Sequence, residues 1–125
     1  MKVAFASSDG EHIDQHFGWS KIFYLFEVGE DSFELLKEID SAEEIENEKE
    51  KLNYKIKTIE DADIMYCTQI GPTASKMVQG AGIHPVRVTD GEKIVDAIAQ
   101  LHEMIAKKEP IWLLRIFHKA KQRSA

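Results

Sequence analysis

The groups best able to do chemistry are gathered in one short segment of this chain. Asp9-Gly10-Glu11-His12-Ile13-Asp14-Gln15-His16-Phe17-Gly18 lies between the apolar runs Val3-Ala4-Phe5-Ala6 and Ile22-Phe23-Tyr24-Leu25-Phe26. It carries two imidazoles, three carboxylates and two glycines. Neighbouring strands need only about two to five linking residues, so a connection this long calls for a reason. Loops of this kind, hung on a strand end, are where binding groups gather. His12 and His16 are spaced as His-x3-His, which on a helix would share one face and suit a metal. Gly10 and Gly18 mark a loop instead, so the spacing alone does not pair them. His16, fixed by Phe17 and Gly18, is the stronger ligand candidate, and His12 reads as a solvated loop residue. Asp9 and Asp14 are expected to brace the loop through Asx-type bonds. Cys67 is the single cysteine; a free thiol behaves most often as a small buried hydrophobe. His84, ahead of Pro85, reads as structural, and His102 and His118 as solvated.

These residues must be positioned by the elements around them. Residues 1–6 read as a buried strand, 21–28 as a second rich in aromatic and β-branched side chains, and 33–39 as a third after a hairpin turn at Gly29-Glu30-Asp31-Ser32. A helix is expected over 43–59, with Ser41 as its N-cap. Residues 62–67 lack alternation, as befits a strand buried on both faces. Gly71-Pro72-Thr73 opens a second helix, 85–88 is a short strand, and Asp90 caps a last helix over 92–107. The order β-β-β-α-β-α-β-α implies an α/β fold with a mixed five-stranded sheet and helices on both faces. The economical strand order is 3-2-1-4-5. The first and fourth strands then meet at a switch point, where open sheets leave a crevice beyond the strand ends. His12, His16 and Cys67 would converge there, beside the N–H groups of the helix that starts at Pro72. Residues 1–109 are expected to form the binding domain, and 110–125 an apolar and basic C-terminal tail.

Composition narrows the class. The chain has 125 residues, of which 43% are hydrophobic and 30% charged, the balance of a single globular domain. A net charge of −6 argues against general nucleic-acid affinity, which depends on neutralising phosphates. No apolar run is long enough for a membrane helix, and the N-terminus lacks the apolar stretch of a signal peptide. One cysteine excludes an internal disulfide and fits a reducing cytoplasm.

The same residues carry a resemblance. Asp9-Gly10, Asp14-Gln15-His16-Phe17-Gly18, Phe23-Tyr24-Leu25-Phe26-Glu27-Val28, Cys67-Thr68-Gln69-Ile70-Gly71-Pro72-Thr73-Ala74 and Ala81-Gly82-Ile83-His84-Pro85-Val86 together resemble the dinitrogenase iron–molybdenum cofactor-binding family. The ending Pro110-Ile111-Trp112-Leu113 looks like its nitrogen-fixation NifX branch. The resemblance implies a ribonuclease H-like three-layer fold and binding rather than catalysis. The guest would be an iron–sulfur precursor or the iron–molybdenum cofactor, held transiently. The partners would be nitrogenase cofactor-assembly proteins and apo-dinitrogenase. Carried over by position, His16 and Cys67 are the metal-ligand candidates, with Phe17, Gly18, Ile70, Gly71, Pro72 and His12 lining the site. A carrier needs one or two exchangeable ligands, whereas four thiolates would hold a cluster too firmly for transfer. Imidazole supplies a neutral ligand, and its protonation near pH ~6.5 would favour release.

Two other classes compete. A metal-dependent nuclease needs carboxylates converging on divalent ions, but the centre of the first strand, Val3-Ala4-Phe5-Ala6, offers no acid. An interaction module would use the apolar segment 112–117 to dock a partner; packed inward, the same segment would simply complete the core.

Overall fold

Alternation along the strands divides the interior into two cores, one on each face of a single sheet. The structure, a computed structural model, describes residues 1–124. Its elements are β1 (Lys2–Ala6), β2 (His12–Ile13), a short 3-10 turn (Phe17–Trp19), β3 (Ile22–Val28), β4 (Phe33–Asp40), α1 (Glu48–Thr58), β5 (Ile64–Cys67), α2 (Pro72–Gly80), β6 (His84–Arg87), β7 (Glu92–Lys93), α3 (Ile94–Lys107) and α4 (Ile111–Ser124). The mixed sheet of five strands runs β4-β3-β1-β5-β6. β1 pairs antiparallel with β3 and parallel with β5, and β5 pairs parallel with β6.

Successive side chains of a strand point to opposite faces. In β1, Val3 and Phe5 face one core, and Ala4 and Ala6 the other; in β5, Ile64 and Tyr66 part from Met65 and Cys67 in the same way. The first core is closed by Ile98 and Leu101 of α3 with Leu113 and Phe117 of α4. The second is closed by Leu52 and Ile56 of α1 with Ala74 and Val78 of α2. Phe5 stacks on Tyr66 at 5.0 Å between ring centroids and meets Phe26 edge-on at 5.5 Å.

Three local expectations are corrected. The first helix starts at Glu48, because the Asn47 side chain accepts from the Glu50 N–H and caps it. Ser41 is buried instead, with its hydroxyl 3.0 Å from that of Thr58. The last predicted helix starts at Ile94 with no side-chain cap, because Glu92 and Lys93 form β7 against β2. That small second sheet lies inside segments expected to be loop and helix start. The segment after Pro110, which the sequence left open between core packing and docking, is a helix, α4, whose Leu113, Phe117 and Ala120 enter the first core. His102, expected to be merely solvated, lies 3.0 Å from the Ser32 carbonyl and donates to it from Nε2.

Candidate functional site

The loop after β1 is braced from within. Asp9 Oδ1 accepts the N–H groups of Glu11 and His12, each at 2.8 Å, and these bonds hold its carboxyl far below the usual carboxylate range. Asp14 accepts the Ser8 N–H at 2.9 Å and the Ser8 hydroxyl at 2.5 Å. Both aspartates thus play the bracing part expected of them. Gly10 has φ +77°, and a Cβ there would lie 2.9 Å from Tyr24 Cε1, so this turn requires glycine.

Beyond the bracing, the loop runs beside the chain that leaves β5. The Thr68 N–H donates to the Gln15 carbonyl at 3.0 Å, and the Phe17 N–H to the Gln69 carbonyl at 2.9 Å. His16 and Gln69 form a parallel bridge that prolongs the β1–β5 pairing. The 3-10 turn follows at once, its Trp19 and Ser20 N–H groups bonding the His16 carbonyl. This turn folds Trp19 back over His16, their rings parallel within 8° and 4.3 Å apart. Lys55 of α1, nearly buried, donates to the carbonyls of Ser20 and Ser41 and secures the turn from below.

His16 stands on a ridge between two crevices. The smaller, about 510 Å³, is lined by His16, Gly18, Trp19, Gln69 and the residues Ile70 to Ala74, together with Glu48 and Leu52. It contains the first turn of α2, where Gly71 is the N-cap and no side chain caps the helix. The first N–H groups of a helix have no carbonyl partner in the helix and carry partial positive charge. An imidazole, an indole face and a bare helix start therefore share one wall.

The sequence candidates separate on inspection. His16, Gly18, Ile70, Gly71 and Pro72 do line this crevice together. Phe17 does not; it is fully buried in the second core and anchors the turn. His12 lies elsewhere, in β2, with Nδ1 2.8 Å from Asp9 Oδ2. The expected convergence of Cys67 on the crevice is corrected as well. Its side chain is fully buried in the second core with Phe17, because β5 alternation turns it inward. Burial pushes the thiol up to about 11, against the pull of Arg87 and the N–H groups of Gln69 and Phe17. A protonated, enclosed thiol is a poor metal ligand. Trp19 and Gln69 were missed by sequence reasoning; the signal for Trp19 was an aromatic residue three positions after His16 in a loop.

Comparison with known proteins identifies the family. The family profile described as dinitrogenase iron-molybdenum cofactor matches residues 1–104. NifX of Azotobacter vinelandii is 31% identical, the match covering 97% of this chain and 77% of that protein. NifX of Herbaspirillum seropedicae is 30% identical, covering 98% and 86% respectively. NifY of Klebsiella pneumoniae is 29% identical over 92% of this chain and 50% of its own length. Among solved structures, the crystal structure of PH0822 superposes with a TM-score of 0.65 at 22% identity, covering 82% of this chain and 91% of that one, which bears on the fold alone. The chain belongs to the dinitrogenase iron-molybdenum cofactor family, among its NifX-like members.

Proposed function

We propose that the protein binds the iron–sulfur precursor or the iron–molybdenum cofactor during nitrogenase cofactor biosynthesis and hands it on. The observation that carries this reading is the wall formed by His16, Trp19 and the uncapped start of α2. An anionic cluster would take one neutral imidazole ligand from His16 while the N–H groups of α2 face its negative charge. Trp19, 67% exposed, covers the imidazole and limits its rotation. Glu48, a carboxylate that also lines the crevice, tempers affinity for an anion. A single ligand and a moderate field suit a guest that must leave again.

The family match and the NifX and NifY relatives support a place in cofactor assembly rather than catalysis. On this reading the three layers are a ribonuclease H-like scaffold, and residues 1–109 supply the binding unit. The partners are the assembly proteins that donate the cluster and the apo-dinitrogenase that receives it. We place the protein in the cytoplasm, since an oxygen-labile cluster needs a reducing compartment; no helix among the described residues is long and apolar enough to cross a membrane.

The test is anaerobic titration with each isolated cluster, followed by absorption and gel mobility. His16→Ala is expected to weaken binding tenfold or more, about 1.4 kcal/mol, with His12→Ala and Cys67→Ala within threefold of wild type. Binding by His16→Ala equal to wild type would remove the ligand assignment. No binding by the wild-type protein at micromolar concentration would remove the carrier reading itself.

A further inference from the structure

Lys55 is 3% exposed and lies on the buried face of α1 with Leu52 and Ile56. Lysine is almost never enclosed to this degree unless it is paired. Among the described residues no carboxylate forms an ion pair with it. Burial lowers its pKa, and Lys51 lowers it further, against the pull of Asp40. A methionine would fill similar space in α1 without the cost of a buried charge. Packing of α1 therefore does not account for an ammonium at this position.

What the ammonium holds does account for it. Ser20 and Ser41 are fully buried, so their carbonyls are shut off from water, and Lys55 donates to both. The Ser41 side of this tie is fixed independently. Its N–H donates to the Lys21 carbonyl at 2.8 Å, and its hydroxyl lies 3.0 Å from that of Thr58, which donates to the Lys55 carbonyl at 2.7 Å. Ser20 is the end of the turn that carries Trp19, and Phe17, buried in the second core, is its beginning. The turn is thus clamped at both ends. Between them Trp19 is 67% exposed, with its ring 4.3 Å from that of His16. A ring so exposed takes its orientation from the backbone that bears it.

We propose that Lys55 is a positioning residue of the cluster site: by holding the Ser20 carbonyl it sets Trp19 against His16 and so orients the imidazole. The proposal rests on the carrier reading and adds to it a residue that does not line the crevice. Without the ammonium, two carbonyls in a dry interior lose a donor, which is costly enough to move the end of the turn toward water.

The experiment uses the Trp112→Phe chain, in which Trp19 is the single tryptophan, since the sequence holds two. Lys55→Met removes the donors. Ile56→Ala, the next residue of α1, weakens packing in the second core and leaves the ammonium in place. A fixed aromatic ring gives a near-ultraviolet circular dichroism band that is lost when its packing fluctuates. Expected is a Trp19 band at least halved in Lys55→Met, approaching that of His16→Ala, and kept in Ile56→Ala. Anaerobic titration of the same chains with each isolated cluster is expected to show affinity reduced fivefold or more in Lys55→Met and within twofold in Ile56→Ala. Should Lys55→Met not fold, Lys55→Leu is read in the same way; loss of the fold in both makes Lys55 structural and overturns the proposal. A band unchanged in the folded variant, or lost equally in Ile56→Ala, overturns it, as does a lost band with unchanged affinity. The band is read with no cluster present. If the chain with Lys55 intact binds no cluster, the carrier reading fails, while the band still decides whether Lys55 sets the Trp19–His16 pair.

Discussion

The helix α4 can be tested as an integral part of the first core. Leu113 is fully buried and Phe117 nearly so, and both belong to the cluster that includes Phe5, Phe26 and Leu101. Lys121 lies 5.0 Å from the Phe117 ring centroid, and Arg123 at the helix end pairs with Asp63, which also accepts the Lys2 N–H. Burying side chains of this size stabilises by about 1.5–3 kcal/mol each, so the two together contribute ~3–6 kcal/mol. Truncation leaves a cavity as well: Leu113→Ala is expected to cost about 2–5 kcal/mol and Phe117→Ala about 3–5 kcal/mol. Against a total stability of ~5–15 kcal/mol, either change moves the urea midpoint by about 0.7 M or more at an m-value of ~1–3 kcal/mol/M. Removing residues 111–125 should leave a chain largely unfolded at 37 °C. If each single substitution cost less than about 1 kcal/mol, α4 would be an appendage on a self-sufficient domain, and the packing argument would fail.

Gly10→Ala forces a left-handed residue to carry a Cβ 2.9 Å from the Tyr24 ring, and should cost about 1–3 kcal/mol in urea unfolding. Gly18→Ala is the comparison, since a Cβ there meets nothing within 4 Å; equal losses at the two sites would contradict the account. His84 makes a separate prediction through pH. Burial lowers its pKa below 6.5, so between the folded and unfolded values the unfolded chain binds the extra proton. Stability therefore falls as pH drops from about 6.5 through the folded value. His84→Gln should flatten that slope, and an unchanged slope would move its cause to another group.

Much of the arrangement was legible in the sequence because it follows from period and connection. The strand at β3, the helix start at Pro72 and the meeting of β1 with β5 all come from composition, patterning and the need for crossovers through helices. The β2–β7 pair was not legible, since two residues are too few to show a period, and both lie among turn residues. The start of α1 was misplaced because Ser41 and Asn47 are both good N-caps. Only packing decides between them, and it commits Ser41 to Thr58 and Lys55. The path of α4 was open for a related reason: an apolar stripe in a basic segment fits a core or a partner equally well until the facing surface is known.

Cys67 shows why a convergent topology is not yet a convergent site. The end of β5 lies beside the loop that bears His16, as the strand neighbours require. Yet strand alternation then decides each side chain separately. Met65 and Cys67 take the face closed by α1 and α2, in the same core as Phe17. The residue that does meet His16 is Gln69, two positions further, where the strand has ended and backbone pairing alone sets the register. A thiolate placed at the crevice would have made a firmer ligand set. With the thiol enclosed and protonated, the wall is left with one imidazole and the N–H groups of a helix; under the proposed carrier role, that weaker set would let a cluster leave again.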